Sequence, residues 1–159
     1  MKALFKIILL FVLVLFCGFQ VYAQEKIKIY AGLSMPEQFV FGPRFQLNRV
    51  EIGLGFGNSR YRSAISGDIA YHFGKNSPLS EIKPWYIKGG VSKWTDHSDN
   101  PDSNIAGLYF RGGGDINFSR RVGMNIEFGI VTGKMAEFIA YSGYPKVYPC
   151  WGMFLFYRI

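Results

Sequence analysis

Cysteine is scarce in this chain. There are two among 159 residues, Cys17 and Cys150, alongside two histidines. Cys17 lies in a leader-like N-terminal segment, which leaves Cys150 alone and excludes an intrachain disulfide. Cys150 reads as a small apolar residue of the last strand. Long apolar runs are scarce too. Ile7 to Phe16 (IILLFVLVLF) is unbroken but shorter than the ~20 residues a membrane helix needs, and no later stretch reaches ~18. Helical membrane spans are therefore not expected. Cofactor motifs are missing as well. Gly53-x-Gly55-x-Gly57 has no helix after it, so it is not a nucleotide loop. The oxygen-rich stretch Asp96 to Asn104 lacks the glycine and closing glutamate of a calcium loop. No cofactor and no metal are expected.

What is present begins with export. Lys2 and Lys6 both precede the apolar run, and Val21-Tyr22-Ala23 supplies a cleavage site. Residues 1–23 read as a signal peptide cut after Ala23. Residues 24–159 form one domain. Of 18 Lys and Arg, Lys2 and Lys6 leave with the leader, so 16 basic residues face 11 acidic ones. The basic residues are scattered singly through an exported chain, which argues against a nucleic-acid partner.

From Lys26 onward the pattern has period two, the signature of strands with two different faces. Eight runs are expected: Lys26–Leu33, Phe39–Leu47, Val50–Gly57, Ala64–Phe73, Pro84–Val91, Ile105–Phe118, Val122–Ile130 and Trp151–Ile159. Asn48-Arg49 and Ser119–Arg121 are short turns, and Gly112-Gly113-Gly114 suggests a bend or bulge in the sixth run. The expected fold is all-β, an eight-stranded antiparallel up-and-down transmembrane β-barrel. Transmembrane strands need only ~9–11 residues.

The two faces decide which way round the barrel is built. One carries Phe41, Phe45, Phe56, Tyr71, Phe73, Trp85, Phe110, Phe128, Trp151 and Tyr157. The other carries Lys28, Arg44, Lys88, Arg111 and Arg158 together with Glu51, Asp68, Asp115 and Glu127. Eight strands enclose little volume, so this many rings suit a lipid-facing belt better than a lumen. The charges then lie inside, where nearly balanced signs permit pairing. Arg158 is expected to meet Glu51 or Glu127. The competing arrangement, a secreted lipocalin-like soluble barrel, would put the rings inside and the charges in water.

Catalytic sets are weak. Ser66, Asp68 and His72 share a face, but same-face neighbours stand ~6.6–7 Å apart along a strand, which separates Ser66 from His72 by roughly 20 Å. His97-Ser98 is the adjacent pair nearest to that of a lipid-A-modifying acyl hydrolase, and it sits in a charged loop.

The leader, the eight alternating runs, the hairpin Phe118-Ser-Arg-Arg-Val-Gly-Met-Asn-Ile-Glu-Phe-Gly129 and the aromatic final strand together resemble the OmpA/OmpX-type small outer-membrane β-barrels. The resemblance is one of pattern over the whole mature chain. It implies a Gram-negative outer-membrane location, outer-membrane lipids as surroundings and the barrel-assembly machinery as the partner for insertion. Ile159, with Tyr157 two before it, departs from the usual terminal Phe or Trp. A structural, envelope-maintenance or adhesion role follows, and no enzyme activity is expected. Any extracellular partner would be met by loops 95–104 and 132–146.

Overall fold

The computed structural model describes residues 26–35, 37–58, 62–96, 105–133 and 147–159. The leader, the His97-Ser98 pair and most of the loops 95–104 and 132–146 lie outside these residues.

Eight strands follow one another: β1 (Ile27–Met35), β2 (Gln38–Leu47), β3 (Val50–Asn58), β4 (Arg62–Phe73), β5 (Trp85–Asp96), β6 (Ile105–Asn117), β7 (Val122–Gly133) and β8 (Val147–Arg158). Each pairs antiparallel with the next, and β8 returns to β1 to close the barrel. The closing ladder runs from Lys28 opposite Arg158 to Met35 opposite Trp151. Closure removes the edges that an open sheet of such apolar strands would expose to aggregation.

Alternation explains why these segments become strands. Along β8 the pattern from Cys150 to Arg158 is buried, exposed, buried without a break. Phe154 and Phe156 turn inward with Arg158, while Trp151, Met153, Leu155 and Tyr157 turn outward. Several strands outrun the alternating segments visible in sequence. β8 starts at Val147, and β5 continues through Trp94 to Asp96. Ladder hydrogen bonds extend these strands beyond their clearest patterning.

The glycine triplet is a correction. No bulge interrupts β6, since Gly112, Gly113 and Gly114 pair in unbroken register with Ile87, Tyr86 and Trp85 on one side and with Phe128, Glu127 and Ile126 on the other. Gly113 and Gly114 instead make room for rings. A Cβ on Gly114 would lie 2.9 Å from the Trp85 ring, and one on Gly113 2.9 Å from the Tyr86 ring. Pro43 is accommodated as well. It pairs with Ile29 of β1, and the β2–β3 ladder skips Gly42 and Pro43 before resuming in the same register.

The connections at the two ends differ. At the end holding Lys26 and Ile159, residues 48–49 and 118–121 make tight turns. Asn48 takes a φ of 60° there, the left-handed region that asparagine tolerates best after glycine. The longer connection at this end, residues 74–84, folds across the barrel mouth. It buries Ile82, and the Lys83 carbonyl lies 2.8 Å from His72 Nδ1.

Candidate functional site in the barrel interior

Period-two geometry delivers one residue in two from every strand to a narrow lumen. Lys28, Arg44, Glu51, Asp68, Lys88, Arg111, Asp115, Glu127 and Arg158 all lie inside, none more than 7% exposed. A tenth charge joins them. Glu37, in the β1–β2 turn, is buried and binds Arg111 at 3.1 Å. Its inward aim is hidden in the sequence because Pro36 and the turn break the alternation, and Gln38 follows with a φ of 65°. With Glu37 counted, the described interior holds five cations and five carboxylates.

These groups form one connected ladder along the barrel. Arg158 binds Asp115 at 3.1 Å, and Asp115 binds Lys28 at 3.2 Å. Lys28 reaches Glu51 at 2.7 Å, and Glu51 binds Arg44 at 2.8 Å. Arg44 lies 3.6 Å from Asp68 and 3.7 Å from Glu127. Lys88 joins the same two carboxylates, at 3.6 Å to Asp68 and 2.7 Å to Glu127. Glu127 meets Arg111 at 3.4 Å, and Arg111 passes the chain to Glu37. Isolated charges could not be buried at such cost; alternation of sign makes the burial tolerable.

The partner of Arg158 is a correction. It is Asp115, not Glu51 or Glu127. Glu127 stands opposite Gly152, six residues up β8 from Arg158, or about 20 Å along a strand. Asp115 is opposite Asn125, which is opposite Phe154, so it sits nearer the Arg158 end of the lumen. Asn125 Nδ2 donates to the other oxygen of Asp115.

Aromatic side chains fill the space between the ions. The Tyr86 hydroxyl donates to Glu127 at 2.8 Å, and the Tyr109 hydroxyl to Asp68 at 3.0 Å. The Arg44 guanidinium lies 4.4 Å from the Tyr30 ring centre, and Arg158 lies 4.5 Å from that of Phe156, distances at which a ring face attracts a cation. Glycines on the facing strands leave the room. A Cβ on Gly55 would come within 2.8 Å of the Tyr30 hydroxyl and 2.4 Å of Ser66 Oγ. A cavity of about 10 Å³ lies among Tyr30, Arg44, Asp68, Lys88, Tyr109 and Phe154, at the lower limit for one water molecule.

Cys150 has a larger part than that of a space-filling strand residue. It faces the lumen, and Arg111 Nε donates to its Sγ at 3.3 Å. Ser66, Asp68 and His72 also face inward, each engaged elsewhere. Ser66 donates to the Gly55 carbonyl at 3.5 Å, Asp68 holds Tyr109, Arg44 and Lys88, and His72 sits between the Lys83 carbonyl and Glu51.

The outer wall is the inverse of the interior. Phe41, Phe45, Phe56, Tyr71, Phe73, Trp85, Phe110, Phe128, Trp151 and Tyr157 are 41–67% exposed. Ile, Leu and Val side chains of all eight strands continue the same surface, among them Ile29, Leu47, Ile52, Ile69, Val91, Leu108, Ile130 and Leu155.

This architecture, closed and up-and-down with eight strands, is found in a solved structure. The crystal structure of the N-terminal β-barrel domain of Pseudomonas aeruginosa OprF superposes with a TM-score of 0.57 at 17% identity, covering 86% of this chain and 99% of that one. The chain has the fold of that β-barrel domain. No family model matches the sequence, and no curated protein matches it. The OprF likeness therefore speaks for the fold, and the interior ladder stands on this chain's own residues.

Proposed function

We propose that the chain is a small integral outer-membrane β-barrel protein whose lumen is sealed by its own ion-pair ladder. Its role is structural, in envelope maintenance or adhesion, with recognition left to the external loops. The observation that carries this reading is the inverted distribution of polarity. Among the described residues ten charged side chains are buried inside, while an apolar and aromatic wall faces outward. A water-soluble barrel exposing this much contiguous apolar surface would aggregate. In lipid the same surface is satisfied, and the closed sheet pairs each strand on both sides and leaves no open edge. The strands, 9–13 residues long, match the ~9–11 residues needed to cross a bilayer at a tilt.

The sealed lumen separates this reading from a pore. A ladder in which each described ion has a partner of opposite sign leaves no row of unpaired charges to conduct along. The test has two parts. Cells expressing the chain are fractionated with and without detergent, and the purified barrel is examined by unboiled electrophoresis and in planar bilayers. The expected result is recovery in the outer membrane, release by detergent alone, faster migration before boiling and no steady conductance. Folded protein recovered in buffer without detergent would overturn the membrane reading. A stable ohmic conductance would overturn the seal.

A further inference from the structure

The barrel rim that carries the short turns is strongly basic. Lys26, Arg49, Lys75, Lys83, Arg120 and Arg121 lie on it, against the single acidic side chain of Glu81 among its described residues. Five of the six are exposed and Lys83 is half-buried. Two guanidiniums mark a level on the wall. Arg49 donates to the Tyr71 hydroxyl and Arg121 to the Tyr157 hydroxyl, both at 3.4 Å. Tyrosines of this kind, ring on the apolar wall and hydroxyl at the rim, sit at the headgroup level of a bilayer. Starting at Pro84, the chain neighbour of Lys83, the wall is hollowed. An apolar groove of about 530 Å³ opens over Gly112 and Gly114, walled by Phe73, Trp85, Ile87 and Phe128. The outward position at Gly112 carries no side chain and stands open, while the Trp85 ring covers Gly114.

We propose that this rim and groove together form a binding site for an anionic diacyl phospholipid of the adjacent leaflet. Lys75, Lys83, Arg120 and Arg121 hold the phosphate, and one acyl chain lies in the groove. The charge complementarity of rim and headgroup selects the occupant, and a groove that begins at Pro84, next to Lys83, and continues into the apolar wall suits a chain attached to that headgroup. Basic side chains at a membrane surface each attract anionic lipid appreciably. The proposal rests on the membrane reading above.

The test uses the full chain refolded into nanodiscs of phosphatidylcholine mixed equally with phosphatidylglycerol. Co-ejected lipid is identified by native mass spectrometry. The expected result is at least about fivefold enrichment of phosphatidylglycerol. Replacing Lys75, Lys83, Arg120 and Arg121 together by Gln should abolish it. Gly112→Leu should reduce it by filling the groove, and the site has room, since the nearest atom to an added Cβ is 3.9 Å away. Lys93→Gln, exposed on the far half of β5, should leave it unchanged. Millimolar inorganic phosphate should not displace the lipid. No enrichment in the wild type, enrichment retained by the fourfold variant, or displacement by phosphate alone would each overturn the proposal while leaving an inserted barrel intact. Failure to insert into any bilayer, read by unboiled electrophoresis, would overturn the membrane reading and the site with it.

Discussion

Glu127 lies within reach of three cations, Lys88 at 2.7 Å, Arg111 at 3.4 Å and Arg44 at 3.7 Å, and accepts from Tyr86 at 2.8 Å. Its removal leaves Lys88 with Asp68 alone, Arg111 with Glu37 alone, and Arg44 with Glu51 and Asp68. Glu127→Ala is expected to cost about 3–5 kcal/mol, read from urea unfolding of the barrel in lipid vesicles. Arg158 is tied in differently. Asp115 keeps Lys28 and Asn125 when Arg158 is replaced, so Arg158→Leu should destabilise by clearly less than Glu127→Ala in the same assay. The opposite order would show that the ladder is not held at its centre. Individual faces were legible at this scale, because parity alone sends Arg158, Glu51 and Glu127 inward. Partners were not legible. The stagger of tilted strands in a closed barrel sets which inward residues share a level, and no single strand contains that number. Glu37 escaped for a related reason, since a turn residue has no parity to count.

At the scale of single strands, each face imposes a different rule. On β3 the inward glycines are spaces for neighbours. Gly55→Val would push into Ser66 and Tyr30, with an expected loss of roughly 1–3 kcal/mol. On β7 the outward face should tolerate any apolar residue and resist charge. Phe128, 67% exposed, is the sharpest probe. Phe128→Arg is expected to cost about 2–4 kcal/mol if it lies near the bilayer midplane, whereas Phe128→Leu should be nearly neutral. Equal tolerance of both, measured by refolding yield into vesicles and urea midpoint, would argue that this wall does not face lipid. The triplet Gly112–Gly114 illustrates what sequence reading of an element misses. Glycine marks a bulge in many strands, but here the pairing is regular, and the missing side chains at Gly113 and Gly114 serve rings of β5. Which of the two meanings applies depends on the neighbouring strand.

For the described molecule as a whole, the interior is neutral, with five charges of each sign, while the surplus positive charge of the described residues gathers on one rim. Buried pairs are screened little by salt and exposed charges strongly. Raising salt from about 0.1 M to about 1 M should therefore leave the urea midpoint of the barrel nearly unchanged and sharply weaken its phosphatidylglycerol enrichment. A midpoint that falls steeply with salt would mean that water and ions enter the ladder.

The sequence by itself determined the strand-rich fold and the assignment of most residues to wall or interior. The reason is local: a pleated chain points alternate side chains to opposite sides, and eight such segments with apolar outer faces have few ways to close. Tertiary structure alone decided the pairing of the interior charges, the recruitment of Glu37 and Cys150, the folding of residues 74–84 over one mouth, and the groove beside the basic rim. Each of these depends on which strands stand beside one another and at what stagger, and those relations exist only once β8 has met β1.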